Sequence, residues 1–153
     1  MKIRQDDPAA PHVAKLLAYH LQELRDVMGE KYAFALDATG LSAPGVTFWT
    51  AWHDDTLVGF GALKQLDDVH GEVKSMRADP AARGTGVGHA ILDHIITEAR
   101  KRGYARLSLE TGTATLHAPA ISLYRSVGFV SCDKFANYQP SPHNQFLRLD
   151  LGA

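Results

Sequence analysis

The period of the hydrophobic positions changes repeatedly along this chain, and each change marks an element. Val13, Leu16, Leu17, Leu21, Leu24 and Met28 recur at helical spacing, which predicts an amphipathic helix closed by Gly29. Asp6-Asp7-Pro8 ahead of it reads as N-cap chemistry with a proline in the first turn, so the helix is predicted to follow directly. His20 falls on the apolar stripe, where histidine is more often a satisfied core residue than a ligand; it is also a candidate acceptor contact. Residues 1–5 predict an edge strand. Residues 30–45 keep no period, and Gly40, Pro44 and Gly45 punctuate them as a loop with a helical turn.

From Val46 the period falls to two. VTFWTAWH, an Asp54-Asp55 turn, TLVGFGALKQL, a second turn and GEVKSMRA predict a three-stranded antiparallel meander. Gly59 and Gly61 inside its second strand predict a bulge or a close approach by another group. Simple alternation puts Glu72, Lys74 and Met76 on one face of the third strand. The helical period returns with Val87, Ile91, Leu92, Ile95, Ile96 and Ala99, and that helix should end near Arg102-Gly103. Ala105 to Leu109 is then a short strand, parallel to the one at Glu72 because a helix separates them, with Glu110 to Thr113 following at its carboxyl end. A second helix is predicted over about Ala118 to Val127, and final strands over Phe129 to Cys132 and Asn144 to Asp150.

Composition narrows the picture. A chain of 153 residues with 45% hydrophobic content is expected to form one domain, 1–153, with a proper core. Lys plus Arg number 16 against 17 Asp plus Glu, so no basic excess points to nucleic acid. The start MKIRQDDP lacks the apolar run of a signal peptide and no run of ~20 apolar residues follows, so a soluble, cytoplasmic protein with no membrane partner is expected. Cys132, the single cysteine, reads as buried filler. His89 and His94 are five apart and the other histidines are scattered, so no metal is expected.

Arg83, Gly84, Gly86 and Gly88 stand directly ahead of the second long helix. A helix N-terminus offers unpaired N–H groups and roughly +0.5 of a charge, glycines let an anion approach the backbone, and arginine adds a cation. The reading is a phosphate cradle. It is not a P-loop, which would need Gly-Lys-Ser/Thr where His89 and Ala90 follow the last glycine. Nor is it a dinucleotide fingerprint, since Asp79 to Arg83 separate strand from glycines and these run G-x-G-x-G.

Arg83, Gly86 and Gly88, after Met76-Arg77-Ala78-Asp79-Pro80, resemble the acetyl-coenzyme A motif Arg/Gln-x-x-Gly-x-Gly/Ala of the GNAT superfamily of N-acetyltransferases. Leu123-Tyr124-Arg125-Ser126-Val127-Gly128-Phe129 resembles the family's L-Y-x-x-x-G-F, and GVTFWTAW, GALKQL, GEVKSM and SLETG are similar to small bacterial members. The resemblance implies an α/β (α+β) GNAT fold: a central mixed, mostly antiparallel sheet with a splayed parallel strand pair and flanking helices. It also implies acetyl-CoA as cosubstrate, its pantetheine on the backbone of Met76, Arg77 and Ala78 and its diphosphate on Arg83, Gly84, Thr85, Gly86, Val87, Gly88 and His89. An amide N–H near Met76 would receive the thioester carbonyl.

By the same resemblance Tyr124 is the proton donor to the departing thiolate, a phenol of pKa ~10 serving a thiol of ~8.5. Glu72 is the first candidate base, acting through water, and Glu110 the second. His117 stands where family members often carry a cofactor-binding asparagine; histidine can donate a hydrogen bond but differs in charge and reach. Tyr32, Phe34 and Leu36 are candidate walls of the acceptor pocket, or they seal the core under the loop. The implied function is transfer of an acetyl group from acetyl-CoA to a primary amine of a small-molecule or amino-acid-like acceptor by direct attack on the thioester. A non-catalytic acetyl-CoA sensor and a protein or peptide N-acetyltransferase are the alternatives, and a homodimer is the family habit.

Overall fold

The structure, a computed structural model, describes residues 1–29 and 36–152; Tyr32 and Phe34 lie outside the described residues. The elements in chain order are β1 (Lys2–Gln5), α1 (Pro11–Met28), α2 (Ala38–Leu41), β2 (Val46–His53), β3 (Thr56–Gln65), β4 (His70–Ala78), α3 (Val87–Lys101), β5 (Arg106–Gly112), α4 (Ala118–Ser126), β6 (Val130–Ser131) and β7 (Asn144–Asp150). The strands form one 7-stranded sheet in the order β1-β2-β3-β4-β5-β7-β6. Every neighbouring pair is antiparallel except β4 and β5.

Helices cover both faces because both faces are apolar. Ile91, Leu92, Ile95 and Ala99 of α3 pack on Leu63, Val73, Leu107 and Leu109, while Val13, Leu16 and Leu17 of α1 pack on Phe48, Phe60 and Ala62. Each such buried leucine or isoleucine contributes about 1.5–3 kcal/mol. The group that approaches Gly59 and Gly61 is α3: a Cβ on Gly61 would stand 2.6 Å from Ile91 Cγ2, and one on Gly59 2.8 Å from Val87 Cγ1.

Three expectations change. First, α1 begins at Pro11 with Ala10 as N-cap, not behind Asp6-Asp7-Pro8. Asp7 Oδ1 accepts from the Ala9 amide at 2.9 Å, turning the chain locally, while Asp6 Oδ2 accepts from Thr50 Oγ1 at 2.7 Å and ties the turn to β2. Second, β5 runs through Gly112, because β7 pairs with it from Arg106↔Asp150 to Gly112↔Asn144; Glu110 is a strand residue with a defined face. Third, Ala62 opposes Lys74 and Phe60 opposes Arg77, so Gly61 faces both Ser75 and Met76 in a bulge, with Ser75 at φ 56°. One extra residue inverts the alternation. Met76 therefore turns toward Ile91 and Ile95 of α3, away from the face of Glu72 and Lys74, and Arg77 takes the place predicted for it. Cys132 is half-buried beside β6 and free.

The parallel ladder between β4 and β5 is short. It holds His70↔Arg106, Gly71↔Leu107 and Glu72↔Ser108, pinned by a buried 2.7 Å hydrogen bond between His70 Nε2 and Ser108 Oγ. Beyond Glu72 the two strands part. The wedge so opened is where the site lies.

Candidate active site

Between β4, β5, α1, α4 and the glycine turn lies a cleft of about 540 Å³. At one end Gly84 and Gly86 take φ 80° and 85°, values that cost a side chain ~1–2 kcal/mol, and a Cβ on either would meet nothing within 4 Å. Gly86 is the N-cap of α3 and no side chain caps the helix, so its first-turn N–H groups face outward. Arg83, exposed, stands at the rim beside them. The Val87 side chain is in the core, leaving only its backbone to the turn, and Thr85 Oγ1 donates back to the Ala82 carbonyl at 2.5 Å, away from the cleft. Gly88 and His89 line the cleft. These features fit a diphosphate: room at the glycines, unsatisfied donors and a cation.

Tyr124 enters from α4, 7% exposed, with its ring 5.7 Å from that of Phe129. Burial pushes its phenol up to about 12, so it stays protonated. Across the wedge lie two acidic side chains with different partners. Glu72, 2% exposed, accepts from Lys74 Nζ at 3.2 Å and from the Tyr138 hydroxyl, and Lys74 Nζ also lies 2.5 Å from the Tyr138 oxygen. Burial, then the charge of Glu72, holds the Tyr138 phenol far above its usual range. Glu110 is pushed up to about 7, chiefly by burial, against a hydrogen bond from Asn144 and the charge of Lys74. Its Oε2 has no partner.

The third group is anchored on Arg77. Its Nε donates to His20 Nδ1 at 2.9 Å and its Nη1 to Glu23 Oε1 at 2.5 Å, and the Tyr19 hydroxyl donates to Glu23 Oε2 at 2.6 Å. Burial and then the Arg77 charge push His20 down to about 3, so it is neutral. His117 also sits below the usual histidine range through burial. Its ring lies against Gly112, where any Cβ would overlap it. Among the described residues five buried side-chain polar atoms lack a partner, and those of His20, Ser75, Glu110 and His117 belong to residues lining this one cleft.

The cleft thus brings together Tyr124, Glu72, Glu110, the glycine turn, His20 and His117. Lys74, placed beside Glu72 by the strand alternation, joins them, and so do Tyr138 and Glu23, which the sequence had not singled out. Tyr138 sits in CDKFANYQPSPHN, which has no period; its only signal is a pair of aromatics three apart, Phe135 and Tyr138, which meet the Phe146 ring edge-on and tilted. No group of three or more His, Cys, Asp or Glu residues able to hold a metal, and no helix long and apolar enough to cross a membrane, occurs among the described residues.

The mixed sheet with one splayed parallel pair and the uncapped glycine turn at the wedge are what the sequence resemblance implies, and the comparisons agree. Residues 13–129 match the Acetyltransferase (GNAT) family. The chain is 44% identical to the uncharacterized N-acetyltransferase YsnE of Bacillus subtilis (strain 168), over 99% of this chain and 100% of that one. It is also 44% identical to the uncharacterized N-acetyltransferase YedL of Escherichia coli (strain K12), over 97% and 94%. A GNAT family acetyltransferase from Elizabethkingia anophelis, solved with acetyl-CoA bound, has the same fold, with TM-score 0.70, 18% identity and 97% of each chain covered. The chain belongs to the GNAT family and is an N-acetyltransferase by class.

Proposed function

We propose that the protein transfers an acetyl group from acetyl-CoA to the primary amine of a small acceptor by direct attack, without a covalent enzyme intermediate. The observation that carries this is the convergence, in one wedge, of an uncapped glycine turn, a buried phenol and a carboxyl group held near neutrality. The solved relative with bound acetyl-CoA supports the choice of donor.

Acetyl-CoA supplies the activated thioester; the rest is the work of this chain. The N–H groups of Gly86, Val87, Gly88 and His89, with Arg83, hold the diphosphate. The backbone of Met76, Arg77 and Ala78, freed from β5 by the splay, holds the pantetheine, and the Met76 amide faces the developing oxyanion. Glu110 is the favoured base, because near pH 7 it exchanges protons readily and one oxygen is unengaged. It takes the proton from the acceptor nitrogen as the C–N bond forms. As the C–S bond breaks, the sulfur takes the proton of Tyr124, and the phenolate regains one through water from Glu110, which returns to its carboxylate. Glu72 is bound to Lys74 and Tyr138 and serves to fix that wall. His117, folded onto Gly112, borders the acceptor end in this reading.

The test is a calorimetric titration with acetyl-CoA of the protein and of an Arg83→Glu, Gly86→Asp variant, followed by CoA release across an amine panel. Binding that the variant loses, with release on some amine, supports the reading. Absence of binding by the unaltered protein overturns it, and binding without release on free amines or peptides marks a sensor instead.

A further inference from the structure

Resting on the acetyltransferase reading, we propose that Arg77 selects the acceptor: it receives a carboxylate, and the acceptor is an α-amino acid whose amine is presented to Glu110. Arg77 reaches the cleft only because of the bulge at Ser75. It is then immobilised. His20 Nδ1 holds Nε, Glu23 holds Nη1, and the guanidinium lies 5.7 Å from the Tyr19 ring centroid. Nothing among the described residues bonds to Nη2, although the side chain is only 10% exposed. Both Glu23 oxygens are engaged, one by Arg77 and one by Tyr19, so this carboxylate is fixed on the α1 side of the guanidinium. A preorganised guanidinium with an open edge is built for a planar oxyanion.

The spacing suits an α-amino acid. Continuing the Glu72↔Ser108 register sets Glu110 level with Lys74 and, because the bulge counts Ser75 and Met76 as one step, Gly112 level with Arg77. Arg77 is therefore about one pleat beyond Glu110, ~7 Å along the strands, and somewhat more across the splay. An α-amino acid spans about 3 Å from nitrogen to carboxylate, and two hydrogen bonds of ~3 Å extend its reach to about 9 Å. Charge agrees as well. Arg77 and Lys74 oppose Glu23 and Glu72, so a zwitterion enters without unbalancing the cleft; its ammonium gives up one proton to solvent before the neutral nitrogen attacks, and Glu110 takes the second as the C–N bond forms. His20 acts as a positioning residue: because its Nδ1 accepts from Arg77, its proton lies on Nε2, an N–H otherwise without a partner. Leu24 and Met28 supply an apolar wall for the side chain.

The experiment measures CoA release with the twenty L-amino acids, each beside its amide and its decarboxylated amine, such as leucine, leucinamide and isoamylamine. At least one acid should exceed both its partners about tenfold or more in kcat/KM. Arg77→Gln should erase that preference; Arg77→Lys, which keeps the charge and loses the fork, should raise KM for the acid more than it lowers kcat. His20→Phe, which keeps a ring against Phe60 but frees Nε of Arg77, should likewise act on KM for the acid. Calorimetry with acetyl-CoA on every variant reports folding and the cradle separately. Protein that binds acetyl-CoA but turns over amides or amines as well as acids, or no amino acid at all, overturns the assignment while leaving the cradle standing. A preference that survives in Arg77→Gln overturns it too. Failure of the unaltered protein to bind acetyl-CoA overturns the acetyltransferase reading and this one with it.

Discussion

Glu110 is asked to be a base in a place that penalises its charge, and the penalty can be measured. Its carboxyl is raised from 4.5 to about 7, mainly by burial. At 1.36 kcal/mol for each pH unit, a fully ionised Glu110 costs the folded state at most about 3 kcal/mol. The sign follows from linkage. A carboxyl that binds its proton more tightly when folded adds stability below its unfolded pKa, and that stability is lost as pH rises from about 4.5 through 7. Glu110→Gln removes the titration. Its effect on stability should therefore become more favourable between pH 4.5 and pH 8.5, by up to about 3 kcal/mol, measured by urea unfolding at both. Over the same range kcat/KM of the unaltered enzyme should rise through an apparent pKa near 7 and then level, and the variant should lose about 10²–10⁴-fold with no such limb. A variant whose stability difference is the same at both pH values refutes the burial argument. A variant that retains activity and its pH limb refutes the role as base.

Other consequences can be checked alongside. Tyr124→Phe should lower kcat by about 10²-fold or more with little change in acetyl-CoA affinity, as stopped-flow and calorimetry would show. Glu72→Ala leaves Lys74 buried without its carboxylate and should cost about 3–5 kcal/mol in urea unfolding, whereas Glu72→Gln should cost less and keep measurable activity. Gly61→Val drives a side chain into Ile91 and should lower stability by about 1–3 kcal/mol or more, read as a fall in Tm.

The elements were legible because their causes are local. Period three to four over Val13–Met28 and Val87–Ala99 reports a helix on an apolar face, and period two over Val46–Ala78 reports strands, whatever lies across from them. The glycine turn was legible for the same reason, since conformation at Gly84 and Gly86 is a property of those residues. The start of α1 departs from the local pattern because Asp6 is tied across the fold: its Oδ1 accepts from the adjacent Asp7 amide while its Oδ2 accepts from Thr50, 44 residues away, and so the turn is fixed to β2 and the helix starts only at Pro11.

The sequence by itself determined the element order, the antiparallel meander, the uncapped turn and Tyr124 on its helix, since each follows from spacing along a few turns of chain. Tertiary structure decided the wall opposite Tyr124. A single bulged residue at Ser75 sends Met76 to the core and Arg77 to the cleft, a choice made by pairing with β3. Pairing with β7 makes Glu110 an inward strand residue, and burial there moves its proton. Tyr138 meets Glu72 from 66 residues away. Face, burial and long-range partners are set by what packs against a residue, and so the chemistry of this cleft became readable only once the chain was folded.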